Sequence, residues 1–203
     1  MARKRLSRAD SRERTARRLM DAAERLIARR GLDATSVDEI TEAAGYSRGA
    51  FYSNFKSKED LFLEVLRRDQ QRISTRFADA LNEQRPLDQV QSDIRKLYAG
   101  LYRDSDSFLT WTEGRMLSAR EPKFRAKLAV LVAERRDFVV KLIETLYRRA
   151  GGRPRVALEP LAMGLISLIE GVALFLASCP GEMPAEAAES ILEHFSDSVM
   201  PRL

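Results

Sequence analysis

Residues 36–55 read SVDEITEAAGYSRGAFYSNF. Ser36, with Glu39 three residues on, has the form of a capping box that opens a helix. Val37, Ile40 and Ala44 give that helix one apolar face, and Gly45 offers the positive φ that a sharp exit needs. Ser47 is placed to cap a second short helix whose apolar residues are Ala50, Phe51 and Phe55. Small Ala43 and Ala44 let the two helices cross closely. Two short helices around a glycine turn are the local form of a helix-turn-helix, whose second helix enters the major groove of DNA.

Function follows from what the second helix leaves outside. Arg48, Gly49 and Tyr52 share its exposed side. Arg48 suits a guanine O6/N7 pair or a phosphate, and the sequence leaves both open. Gly49 is a poor helix former, so its presence needs a reason, and close approach of the backbone to DNA is one. Tyr52 and Asn54 bring donors to phosphate height. Ser47 leaves helix-start N–H groups pointing outward. Lys56 and Lys58 flank a third capped start at Ser57, a second anion-binding end.

Upstream, Ala16, Leu19, Met20, Ala23, Leu26 and Ile27 form one stripe on a helix over about 12–30, which Gly31 stops behind Arg29 and Arg30. Residues 1–11 read as a flexible basic tail. The whole chain of 203 residues carries +5, but residues 1–30 alone carry +7, so the rest sums to −2. Such a cluster attracts phosphate backbones or anionic membrane surfaces. Arg3, Lys4, Arg5 and Arg8 suit either a minor-groove arm or a solvated tail. Arg12, Arg14, Arg17 and Arg18 read as the wet face of a helix with room for a phosphate contact or two.

Downstream, helices are expected from Ser57 to about Phe77 and over 87–103, 107–119, 122–150, 155–178 and 185–199, punctuated by Pro86, Pro122, Gly151–Pro154 and Pro180–Pro184. No strand-period run competes. The fold class is therefore all-α: a three-helix head over 12–66, with its motif at about 36–55, and a larger helical domain over 67–203.

The stretch from Arg12 to Leu66 strongly resembles the TetR family of bacterial regulators. The matching residues are the Ala-rich first helix ending in Gly31, Thr35-Ser36-Val37, Ile40, Ala43-Ala44-Gly45, Ser47, Gly49, Phe51-Tyr52, Phe55, Lys58, Glu59 and Leu61. The resemblance implies a cytoplasmic homodimer that binds a semi-palindromic operator and is released from it by a small-molecule effector. By position it implies Ser36, Arg48, Gly49, Tyr52, Asn54 and Lys58 as DNA contacts. The C-terminal part is similar only loosely. There the apolar 161–177 segment and the 185–199 helix look like a dimerisation pair, with Gly164, Ile169, Glu170, Ala173, Leu192 and Phe195 as interface candidates.

Tyr102, Phe108, Trp111, Met116 and Phe138 are candidates for an effector pocket, with Glu113 as a polar anchor; ordinary core packing is the competing reading. Glu170 reads better as a paired structural charge than as a pocket carboxylate. One cysteine, Cys179, permits no internal disulfide and fits a reducing cytosol. With one histidine, His194, no His/Cys metal site is expected, and no cofactor. No nucleophile–base pair or Gly-rich phosphate loop speaks for an enzyme. The 161–177 segment is shorter than a membrane span and carries Glu170. The 12–30 helix lacks the aromatic anchors of a membrane-surface helix.

Overall fold

The computed structural model describes residues 7–81 and 84–201. Those residues form α1 (Arg8–Arg30), α2 (Val37–Ala44), α3 (Arg48–Tyr52), α4 (Lys58–Ala80), α5 (Leu87–Gly100), a single 3-10 turn (Leu101–Arg103), α6 (Ser105–Arg120), α7 (Pro122–Arg149), α8 (Leu158–Ser178) and α9 (Ala185–Val199). No strand occurs among the described residues, and the all-α expectation holds.

Local chemistry sets the helix boundaries. Ser36 Oγ accepts from the Glu39 N–H while Glu39 accepts from the Ser36 N–H, the reciprocal box expected. Hydrogen bonds from Ser36 to the Glu39 carboxylate hold its pKa below the ordinary value. Gly45 exits α2 in the left-handed region at φ 72°. Ser47 caps α3, and Ser57 Oγ accepts from the Asp60 N–H at the start of α4.

The first helix starts earlier than expected. Ser7 and Asp10 form a second reciprocal box, so α1 opens at Arg8 rather than near Arg12, and residues 8–11 of the expected tail are helical. Arg3, Lys4 and Arg5 lie outside the described residues.

The described chain divides into two compact units. The first runs to Asp69 and adds Leu109–Leu128; the second takes Gln70–Phe108 and the chain from Ala129 on. The break after Asp69 falls within α4, and the expected head over 12–66 lies in the first unit, to which Leu109–Leu128 also belongs. The core of the first unit holds Leu19, Ala23 and Ile27 of α1, Ile40 of α2, Phe51 of α3 and Leu61, Phe62, Val65 and Leu66 of α4, all nearly inaccessible. The α6 segment closes on it through Gly114, where a Cβ would stand 3.0 Å from Leu66 Cδ1. Phe124 of α7 stacks on Phe62 with ring centroids 5.9 Å apart, and Lys127 pairs with Asp60 at 2.6 Å.

In the second unit α5 and α8 both pack on α9. Its core joins Phe77, Val90, Ile94, Tyr98, Tyr102, Leu142, Leu146, Ile169, Val172 and Leu192. The Tyr98 hydroxyl donates to the Leu165 carbonyl at 3.1 Å, and burial raises its pKa above the ordinary value. α8 is long and apolar enough to cross a membrane. Its inner face, Ala162, Ile166, Ile169, Val172 and Ala173, lies in this core, and Glu170 pairs with Arg135 at 3.5 Å, the structural role expected for that carboxylate.

The same burial corrects the interface candidates. Ile169, Ala173 and Leu192 point into their own unit, with 6%, 4% and 0% exposure. α8, which carries Ile169 and Ala173, is apolar round most of its circumference, so its sequence gives little phase to tell the outward face from the inward one. The structure places Leu174, Phe175 and Ile191 outside. Leu168, Ile191, His194 and Phe195 line a shallow surface groove there. Gly164 approaches Phe195, at 4.0 Å from its ring to a Cβ built on the glycine.

Candidate nucleic-acid interface

Phe51 anchors α3. It is fully buried, and its ring lies 5.8 Å from Phe55. With Phe51 turned in, the neighbouring positions turn out: Ser47, Arg48, Gly49 and Tyr52 are all exposed, Tyr52 by 52%. Tyr52 meets Phe51 edge to face at 5.2 Å, which limits the swing of its phenol.

Arg48 is held ready by two neighbours. Its guanidinium donates to Asp38 of α2 at 3.2 Å, and Tyr52 stands beside it. Interaction with the Tyr52 hydroxyl, followed by the charge of Asp38, raises the pKa of Arg48 further above its usual value. The sequence reading missed Asp38. Its position ten residues upstream belongs to no helical spacing and becomes a neighbour only through the turn. Any base or phosphate that takes Arg48 competes with Asp38.

Gly49 bears on the surface most directly. A Cβ there would meet one atom within 4 Å, Ser47 Oγ at 3.7 Å, and the backbone does not have positive φ. Nothing inside the chain requires a glycine. Alanine at this position should strengthen the helix by roughly 0.5–1 kcal/mol. We therefore expect Gly49→Ala to hold or raise the melting temperature while weakening DNA binding several-fold. Calorimetry beside a DNA titration checks both signs; unchanged DNA affinity would mean that no backbone approaches DNA here.

The other expected contacts are placed unevenly. Ser36 is exposed but spends its hydroxyl on Glu39. Ser47 Oγ accepts from the Ala50 N–H. Asn54 Nδ2 donates to the Ala50 carbonyl at 2.7 Å, closing the end of α3. Lys56 is exposed. Lys58 turns inward: its ammonium donates to the carbonyls of Leu32 at 2.7 Å and Thr35 at 2.9 Å.

The same turn is held from a second side. Glu113 of α6 accepts the Leu32 N–H at 3.3 Å and lies against Gly31. Leu32 thus donates its N–H to Glu113 and accepts from Lys58 at its carbonyl. Glu113, expected to anchor an effector, is committed to this turn. Trp111, from the same expected set, donates its indole N–H to Asp69 at 2.9 Å, both side chains being buried. Met116 is half exposed. Tyr102 reaches the Ala185 carbonyl at 3.5 Å, and Phe138 meets Phe77 edge-on at 6.5 Å, with Phe108 packed on the same core. The six candidates therefore fall in two different units: Trp111, Glu113 and Met116 in the first, Tyr102, Phe108 and Phe138 in the second.

Tyr46 from the motif's turn lies beside Thr15 of α1. Interaction with that hydroxyl, with added positive charge from Arg18 and Arg14, holds the phenol below its ordinary pKa despite some desolvation.

Residues 19–65 match the family model described as bacterial regulatory proteins of the tetR family, and residues 86–201 match that of the BetI-type transcriptional repressor, C-terminal. The HTH-type transcriptional regulator AcrR of Shigella flexneri is 47% identical over 51 residues, covering 25% of this chain and 24% of that one. Across the first curated relatives the chain spans between 24% and 53% of their length. Among solved structures, a TetR-family regulator from Rhodococcus sp. superposes with a TM-score of 0.76 at 23% identity, covering 94% of this chain and all of the other. A regulator from Saccharomonospora viridis, solved in complex with choline, gives 0.72 at 24% identity over 93% and 98%. An exposed second helix locked on a glycine turn, and family models that together reach most of the described chain, make this protein a member of the TetR family of bacterial transcriptional regulators with a BetI-type C-terminal domain.

Proposed function

We propose that the chain represses transcription by binding a semi-palindromic operator as a homodimer, and that a small-molecule effector releases it. The observation that carries DNA reading is the outward face of α3, where Arg48, Gly49 and Tyr52 stand clear while Phe51 fixes the helix to the core. Ser36, Ser47, Asn54 and Lys56 border this face as further contacts. Lys58 supports it from behind. Two heads at a spacing of roughly one helical turn, about 34–36 Å, would reach successive major grooves.

The exposed apolar side chains Leu174 and Phe175 of α8 and Ile191 of α9 support pairing through these two helices. Gly164 and Phe195 belong to that contact; Glu170 sits beside it. The solved relative carrying choline supports a small molecule as effector, because the same architecture holds one. Tyr102, Phe108 and Phe138 remain the aromatic candidates for it in the second unit. An effector switches the protein only through unequal affinity for its DNA-bound and released forms. The bacterial cytoplasm, where operators are, is the corresponding location.

The test is a titration of DNA flanking the gene, with stoichiometry and salt dependence measured together. We expect two chains, or a multiple of two, per duplex and affinity that falls steeply with salt. Arg48→Ala and Tyr52→Ala should each cost about ten- to a hundredfold in affinity without loss of helix content. Folded variants that bind as the wild type does would remove α3 from the groove.

A further inference from the structure

The N-terminal turns of α1 carry a charge arrangement that α1 itself does not explain. Arg8, Ser11, Arg12 and Thr15 follow one another at three- and four-residue steps and share one helix face. Arg8 and Arg12 are therefore like charges stacked one turn apart. They also stand at the positive end of the helix dipole, where cations are disfavoured. Both are exposed.

The acids that might neutralise them are engaged elsewhere. Asp10 is bound to the Ser7 N–H in the capping box. Glu13 pairs with Arg17 at 2.9 Å. Asp21 and Glu24 both pair with Arg68 at 2.6 Å. Among the described residues, no carboxylate is recorded on Arg8 or Arg12.

This face is open to solvent on one side but is not flat. It forms one wall of a groove of about 380 Å³, and the opposite wall is the end of α3, with Ser53 and Asn54. Ser53 Oγ donates to the Ala50 carbonyl, and Asn54 spends its amide nitrogen on the same carbonyl, so both side chains are fixed at the rim. The positive potential extends along α1: Arg14 and Arg18, beside the turn of the motif, help to depress the Tyr46 phenol. A cationic groove with ordered hydroxyls thus lies beside the helix assigned to the major groove.

We propose that the α1–α3 groove seats a phosphate of the DNA backbone, clamped by Arg8 and Arg12 while α3 reads the adjacent bases. The proposal rests on the DNA-binding reading above and adds a contact outside the helix-turn-helix. The clamp positions the head and carries no base information, so it adds affinity evenly across sequences. It also gives the stacked arginines a purpose: their repulsion in the free protein is relieved when the anion enters.

The experiment compares the full-length wild type with the double variant Arg8→Gln, Arg12→Gln on the same operator duplex. Glutamine keeps helix propensity, so the variant should melt at or above the wild-type temperature. The slope of log affinity against log salt should become shallower by about 1–2, with the same fold-loss on operators altered at single bases. Phosphate-ethylation interference should show one backbone position per half-site that matters to the wild type and not to the variant. A variant with wild-type slope and interference map would overturn the clamp while leaving DNA reading by α3 intact. Wild-type protein without salt-dependent DNA binding would overturn both. Inorganic phosphate is the third arm: melting that rises with phosphate over chloride in the wild type alone, with no change in DNA slope, would assign the groove to a free anion and overturn the DNA assignment.

Discussion

Lys58→Ala should destabilise the first unit by about 2–4 kcal/mol: two hydrogen bonds from a charged donor, worth roughly 1.5–3 kcal/mol each, are lost, and the partial exposure of the ammonium lowers their sum. The ammonium sits on the Leu32 and Thr35 carbonyls in a partly buried position. Its removal takes one donor from each carbonyl in the turn that sets α2 against α1, and the Leu32 carbonyl keeps only the Thr35 N–H at 3.2 Å. Lys58→Met keeps the aliphatic stem and should lose nearly as much, which separates the ammonium from the packing of its chain. A drop of several degrees in melting temperature is the expected readout. The resemblance to relatives suggests instead a phosphate contact at this position. Were that its main role, both variants would melt like the wild type and only the salt slope of DNA binding would change.

Trp111→Ala should cost about 3–5 kcal/mol, the usual price of emptying a buried aromatic site. Trp111→Phe separates the two parts of that loss. It retains most of the volume but takes the indole N–H away from Asp69, and we expect about 1–3 kcal/mol from that alone. Trp111 is 5% exposed and Asp69 3%, so solvent offers little compensation. Denaturant unfolding followed by circular dichroism is the suitable measurement, since Trp111 is the sole tryptophan and its variants lose the fluorescence signal. A phenylalanine variant as stable as the wild type would show that the Asp69 bond adds nothing beyond packing.

The head was legible because its signals are short in range. Ser36 and Glu39 cap within three residues, Gly45 needs only its own φ, and Phe51 and Phe55 announce the buried side of α3 by spacing. The same kind of signal, Ser7 with Asp10, opened α1 four residues early and was masked by the density of arginines around it. Contacts formed between distant parts of the chain left no trace in periodicity. Glu113 meets Leu32 across 81 positions and Trp111 meets Asp69 across 42, so both read from the sequence as possible pocket residues. The inward bonds of Lys58 left no trace for a related reason. A lysine after a cap looks like an anion contact, and only the folded turn reveals two carbonyls within its reach. The dimer face was ambiguous because α8 is apolar round most of its circumference, so burial had to assign Ile169 and Ala173 inward and Leu174 and Phe175 outward.

The membership of Leu109–Leu128 in the first unit changes where this chain can be cut and rejoined. Grafting its operator specificity onto another sensor at the end of residue 69 would leave Phe62 without Phe124, Leu66 without the Gly114 contact and Leu32 without Glu113. The transferable module is discontinuous: it is the chain up to Asp69 together with a twenty-residue insert from the middle of the sequence. Recombination between relatives would then preserve function best when both pieces travel from the same parent, which ties the DNA-reading half of such a protein to part of its partner half through inheritance.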